Sequence, residues 1–405
     1  MSEFLRFALR SIGRQRGRTA MTLAAIAFGV CALVLTGGFV ADVYRQLGES
    51  LIRSHSGHLQ IARQGFFDAG TRRPEEFLIE DAAALSRRLS TVPGVQDAMA
   101  RISFSGMLNN GRADLPVVGE GIEPGAESRL GTSVRFVSGR ALGEEDRFGA
   151  VLGKGLASAL GVGTGDRVVL VASAGEGALN TLDLDVIGIF ESFSSDYDAR
   201  AVRIPLGAAQ ELLATTGANT IVVALRDTAL TERAAQAIGA GLPAGLELRT
   251  WQQINDFYAK TVDLYDRQFG ILRLIVLLMV LLSVANSVNM SVFERTAEFG
   301  TMRALGRRSG AVFRLVLTEN FVLGAAGGLI GVALGVLLAL VISAIGIPMP
   351  PPPNANLGYV AQIRIVPSEL ALAFLTAVVA TVVACVLPAR RASRIPVVEA
   401  LREAI

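Results

Sequence analysis

Four apolar runs, residues 19–41, 274–293, 315–346 and 370–389, decide more about this sequence than any other feature. The first carries no charge over 23 residues, and at ~1.5 Å rise per residue it covers ~34 Å, against a hydrocarbon core of ~30 Å. The second is also uncharged, and the third holds a single charge, Glu319. Inside a bilayer every backbone N–H and C=O must be satisfied by the chain itself, so runs of this length are read as spanning helices. Composition agrees. Hydrophobic residues make up 51% of the 405-residue chain and charged ones only 18%, where globular domains carry about 25%.

The first run follows a basic leader (Arg6, Arg10, Arg14, Arg16, Arg18). Its apolar stretch is far longer than the ~7–15 residues of a signal core and no A-x-A site follows, so it reads as a retained span. Arginine placement sets the orientation. Arg295, Arg303, Arg307 and Arg308 lie between runs two and three, and Arg390, Arg391, Arg394 and Arg402 follow run four, while the loop between runs three and four offers Arg364. Both termini and the 294–314 segment are therefore expected in the cytoplasm, with 42–268 outside.

The expected organisation is a membrane α-helical protein of four transmembrane helices, with a large extracytoplasmic α+β domain inserted between helices 1 and 2. In order it comprises a cytoplasmic amphipathic helix (1–18), a first span (19–41), the outer domain with its stalk helices (42–268) and a second span (269–293). A cytoplasmic segment (294–314), a third span (315–346), an outer loop (347–367), a fourth span (368–389) and a cytoplasmic tail (390–405) complete it. Within the insert, 58–63, 95–105, 113–122, 167–172, 182–190 and 220–225 have strand character, and Asn110-Gly111 is a hairpin signal. Residues 80–89, 152–160, 205–213 and 231–240 have helical spacing. The stretches 42–53 and 251–268 read as amphipathic stalks continuing the first two spans.

No catalytic constellation emerges. The nearest approach to a phosphate-binding loop, Gly149, Gly153, Lys154, Gly155, is one residue short and lacks the Ser/Thr that would hold magnesium. The two histidines, His55 and His58, have no acidic neighbours in sequence, and zinc wants three or four ligands, so no metal site is expected. Cys31 and Cys385 sit in apolar runs and read as packed thiols. A net charge of +2 predicts no nucleic-acid partner. Gly327, Gly331 and Gly335 fall four apart in the third run, the spacing that lets helices approach closely, either within one bundle or between two copies. Glu319 is costly in lipid and should face protein or water.

Between runs two and three, Glu294-Arg295-Thr296-Ala297-Glu298-Phe299-Gly300-Thr301-Met302-Arg303-Ala304-Leu305-Gly306 mixes opposed charges with Phe299, Met302 and Leu305 at i, i+3 and i+6. Such a segment reads as a short helix docking into a partner's groove, or as an interfacial helix. It resembles the E-R-x-x-E-x-G-x-x-R-A-L-G signature of the FtsX/MacB superfamily of ABC transporter permeases. Residues 9–19 with 26–30, 151–157 with Gly165-Asp166, and 388–402 resemble that family's N-terminal, extracytoplasmic core and C-terminal signatures.

The resemblance implies a permease that works as a homodimer or heterodimer with two copies of a separate cytoplasmic ATPase. ATP and magnesium would sit on that ATPase, with no cofactor in this chain and no enzymatic role of its own. Glu294, Arg295, Glu298, Phe299, Gly300, Met302, Arg303, Ala304, Leu305 and Gly306 would be the coupling segment. About 18 residues precede the first run, which implies no fused N-terminal ATPase. The setting would be the inner membrane of a bacterium, with the lipid bilayer and a periplasmic adaptor or lipoprotein carrier as further partners. The stretch Ser56-Gly57-His58-Leu59-Gln60-Ile61 leans toward the lipoprotein-release branch. Efflux with adaptor and outer-membrane partners, and mechanical control of a cell-wall hydrolase, are the alternatives.

Overall fold

A computed structural model describes residues 16–70, 74–130, 134–174, 178–351, 356, 358–394 and 396. The expected amphipathic helix 1–18 lies almost wholly outside the described residues, as does most of the C-terminal tail. The chain divides into two compact units, one of 1–44, 262–348 and 360–405 and another of 45–261 and 349–359.

The first unit is helical. Its helices belong to Arg16–Leu51, Asp256–Glu294, Thr296–Ala304, Ser309–Ile345 and Pro367–Arg394, and four of these are long and apolar enough to cross a membrane. Their shared core joins Ile26, Val30 and Val34 to Val284, Val312, Val316, Ala377 and Cys385. Many of the remaining apolar side chains face outward, Leu282 at 66% and Leu337 at 58% exposure among them, as expected of helices whose other solvent is lipid. The stretch 251–268 is not one continuous stalk. A capped turn, Trp251–Ile254, is closed by the Thr250/Gln253 capping box. Asn255 then breaks the helix by donating its side chain to the Trp251 carbonyl at 2.7 Å, and Asp256–Glu294 begins.

The second unit is built on ten strands: β1 (Leu59–Arg63), β2 (Val95–Asn109), β3 (Asp114–Ile122), β4 (Arg135–Gly139), β5 (Gly149–Gly153), β6 (Arg167–Ser173), β7 (Leu179–Glu191), β8 (Ala201–Pro205), β9 (Thr220–Leu225) and β10 (Leu246–Thr250). The 15-residue β2 serves two layers. Residues 95–101 pair with β9 in an antiparallel sheet ordered β10-β1-β9-β2. From Ile102 onward it pairs with β3, and at 106–109 also with β6. Pairings β3–β8, β8–β5, β5–β7 and β7–β6 then close a ring of six strands. Strand β9, between β1 and β2, is buried along its whole length, which explains its unbroken apolar run. The Asn110-Gly111 hairpin forms: the Asn110 side-chain oxygen Oδ1 accepts from the amides of Arg112 and Ala113, both at 2.9 Å, and Gly111 takes φ +83°. Helix Thr231–Ala240 buries Thr231, Ala234 and Ile238 along one stripe.

Candidate functional site

The segment after the second long helix turns on Arg295. It occupies the N-cap position of the helix Thr296–Ala304, donates through Nε to Glu298 at 3.0 Å and through Nη1 to Glu319 at 2.7 Å, and sets its guanidinium carbon 5.2 Å from the centre of the Phe299 ring. Glu319, one buried acid in the third spanning helix, thus finds its counter-ion from the preceding segment. Thr296 adds a bond to the Val292 carbonyl at 3.1 Å.

The apolar side chains of this segment do not share one open face. Phe299 is 2% exposed and joins the helical core beside Val312 and Val316; Met302 packs against that core, and Leu305 is 81% exposed. The reason is angular. Each step of three residues turns ~60° back around a helix of ~3.6 residues per turn, and Leu305 already lies past the helix end. Gly300 is buried and Arg303 half-buried, while Glu294, Glu298, Ala304, Leu305 and Gly306 are exposed. The outward surface is therefore charged and small, with Leu305 as its large apolar side chain.

The glycine stripe lies within the chain. A Cβ on Gly327 would meet Ile26 at 2.9 Å, one on Gly331 would meet Val30 Cβ at 2.6 Å and the Ala27 carbonyl at 2.7 Å, and one on Gly335 would meet Val34 at 2.9 Å. Gly324 and Gly328 turn to the fourth spanning helix instead, facing Thr381 and Phe374. Small residues on two faces let one helix seat two neighbours closely.

The strand-rich unit holds a cluster that sequence reading missed. Arg101 (β2), Glu120 (β3) and Arg203 (β8) are at most 4% exposed. With Glu127 from helix Pro124–Leu130 they balance two cations against two anions. Arg101 grips Glu127 through both carboxylate oxygens at 2.9 and 2.8 Å, and Arg203 Nε reaches Glu120 at 3.0 Å. Tyr197 donates to Glu120 at 2.7 Å, and His55 Nδ1 lies 3.0 Å from the other Glu120 oxygen. The arginines also donate to main chain: Arg101 to the His55 carbonyl at 2.8 Å, Arg203 to the Ser54 carbonyl at 2.9 Å. Those carbonyls belong to the wide turn Ile52–Ser56 that ends the helix Arg16–Leu51, where cations complement the helix dipole. Burial opposes ionisation of Glu120, but His55, Arg101 and Arg203 outweigh it and hold the carboxyl well below its usual range. Burial also pushes the Tyr197 phenol well above its ordinary value.

The two histidines serve different partners, not a common metal. His58 Nδ1 accepts from the Leu225 amide at 3.1 Å, and its Nε2 bonds Thr228, whose hydroxyl donates to Glu49. Burial lowers His58 to about 4, against an ordinary 6.5. The unfolded chain therefore binds a proton that the folded chain refuses. Stability is full above pH 6.5 and falls as pH drops toward 4, by at most about 1.4 kcal/mol per pH unit. The slope in denaturant unfolding between pH 6.5 and 4.5 should flatten in His58→Gln; an unchanged slope would contradict the assignment.

Lys154, from the imperfect phosphate-loop match, follows β5 and pairs with Glu191 at 2.8 Å. Among the described residues no group of three or more His, Cys, Asp or Glu side chains is placed to hold a metal.

Comparison with known proteins follows the same division. The family described as MacB-like periplasmic core domain matches residues 19–240, and that described as FtsX-like permease C-terminal matches residues 270–397. The chain is 23% identical over 360 residues to an uncharacterized ABC transporter permease of Methanocaldococcus jannaschii, covering 85% of this chain and 86% of that one. It is 26% identical to the macrolide export ATP-binding/permease protein MacB of Hyphomonas neptunium over 99% of this chain, and spans 61% of that relative's length. It is 25% identical to the lipoprotein-releasing system transmembrane protein LolC of Neisseria meningitidis, covering 95% of this chain and 94% of that one.

Proposed function

We propose, for a chain that belongs to the family of ABC transporter permeases with a MacB-like periplasmic core domain and an FtsX-like C-terminal region, that it converts ATP hydrolysis on a separate ATPase into motion of its strand-rich domain, and that its cargo is lipoprotein or other lipidic, amphiphilic material. In this reading the permease pairs with a second permease and with two ATPase subunits in a bacterial inner membrane. Both termini and 294–314 are cytoplasmic, and 42–268 is periplasmic.

The observation that carries the reading is the geometry of 294–306. Arg295 ties the short helix to Glu319 and Phe299 anchors it in the core, so a push on the segment is passed to the spanning helices rather than lost in a loose loop. Glu298 and Leu305 face outward as the contact for the ATPase. Matches to lipoprotein-releasing transmembrane proteins over nearly the whole chain favour lipidic cargo. Efflux with a periplasmic adaptor is the second reading, favoured by a MacB match over 99% of the chain. Charge reversal at Glu298, read by copurification of the ATPase, tests the coupling assignment.

A further inference from the structure

The strand-rich unit receives three separate structural inputs on one short stretch, 192–203. Phe193, 5% exposed, packs with Leu47 and Leu51 at the end of the first long helix and with Tyr258 at the start of the second. Tyr197 and Arg203 belong to the buried ion cluster that holds the Ser54 carbonyl. The third input is Asn356, from the connection between the third and fourth spanning helices. Its side chain donates to Asp198 Oδ2 at 2.6 Å and to the Ser192 carbonyl at 3.3 Å, and its backbone amide donates to the Phe193 carbonyl at 3.1 Å.

Asp198 is buried and used twice, since the Ser192 amide also donates to its Oδ2 at 2.8 Å. The stretch has no slack on its other side. A Cβ on Gly153, at the end of β5, would lie 2.2 Å from the Asp198 carbonyl, so movement at Asp198 presses directly on a strand of the six-stranded ring.

We propose that 192–203 is the receiver through which motion of the long helices enters the ring, and that Asn356 is a positioning residue that keeps it engaged. The inference rests on the ATP-driven motion proposed above. Asn356 ties 349–359 to this stretch through its side chain, and a hydrogen bond to a buried carboxyl group is the kind whose loss is felt most.

The test uses the permease–ATPase complex in lipid nanodiscs, with hydrogen exchange read by mass spectrometry in nucleotide-free and vanadate-trapped states. In wild type, exchange changes on trapping at both 45–56 and 192–203. In Asn356→Ala, 45–56 responds as in wild type, while 192–203 exchanges about tenfold faster and no longer responds. Asn356→Asp, which sets two carboxylates together, does the same, and adding Asp198→Asn restores the response by exchanging donor and acceptor. A response at 192–203 unchanged in both single variants overturns the proposal alone. Loss of the response at 45–56 as well in Asn356→Ala reduces Asn356 to a stabilising contact and also overturns it. Silence at both segments in wild type overturns it together with the motion on which it rests.

Discussion

Arg203→Met is expected to destabilise the strand-rich unit by about 3–5 kcal/mol, the usual cost of removing one partner from a buried ion pair. The side chain does several jobs at once. It neutralises Glu120 at 3.0 Å, stands 3.6 Å from Glu127, caps the Ser54 carbonyl at 2.9 Å and lies over the Phe190 ring at 5.1 Å. Methionine fills much of the volume and keeps the contact with Phe190, but leaves Glu120 and the Ser54 carbonyl short of a donor. Two buried acids then share Arg101, which sits 3.9 Å from Glu120. For a unit of this size the loss corresponds to about 6–20 °C in midpoint. Thermal unfolding of the purified protein reads it, and a shift under about 2 °C would show that water or rearrangement compensates. Replacing Arg203 and Glu120 together by apolar residues should recover part of the loss, because no uncompensated charge is then left between those two positions.

Gly331→Val is expected to cost about 3 kcal/mol or more in the helical unit, at the upper end of overpacking. The first atom added already meets Val30 Cβ at 2.6 Å and the Ala27 carbonyl at 2.7 Å. The second contact is backbone, which no rotamer change relieves, so the helix Arg16–Leu51 must move away along the seam formed by Ile26, Val30 and Val34. Gly270 is the internal comparison. It also lies in a long helix, and a Cβ there meets nothing within 4 Å. Gly270→Ala should therefore be neutral or slightly stabilising through helix propensity. Unfolding in mixed detergent micelles separates the two variants. Equal effects at Gly331 and Gly270 would mean that the glycines matter for backbone freedom and not for approach.

Much of the helical unit was legible because lipid leaves the chain little choice: a long uncharged run has one way to satisfy its backbone. Alternation and β-branching likewise marked β1, β3, β6 and β9. Strand β4 escaped because, mostly exposed at the edge of its sheet, it has no buried face to impose a pattern. Strand β8 escaped because Arg203 interrupts five residues that are otherwise mainly apolar, and an arginine in a short run reads as surface. The end of strand β5, Leu152 and Gly153, reads from sequence as the start of the following helix, since a short, fully buried strand and a buried helical turn share one composition.

The ion cluster illustrates a different limit. Arg101 and Glu127 are 26 residues apart, Arg203 and Glu120 are 83 apart, and Arg203 reaches Ser54 across 149. No local spacing encodes such a meeting; only the turn of β2 from one sheet into the ring brings the elements together. At 294–306 the direction each side chain takes was not legible. Phe299 and Met302 serve the core, and the outward surface falls to Glu298 and Leu305. The need of Glu319 for a partner was readable from its place in an apolar run, while the identity of that partner, Arg295, was not.

The most direct measurement purifies wild type and Glu298→Arg from native membranes in lipid nanodiscs, and follows both the ATPase that copurifies and the lipidic material released when ATP is added. The account predicts that wild type brings down the ATPase with near-stoichiometric lipoprotein or lipid that ATP releases. Glu298→Arg should insert normally, yet retain several-fold less ATPase and release little. ATPase recovery unchanged by the charge reversal would contradict the coupling assignment. A wild-type complex that carries an adaptor or a hydrolase and no lipidic cargo would contradict the proposed substrate.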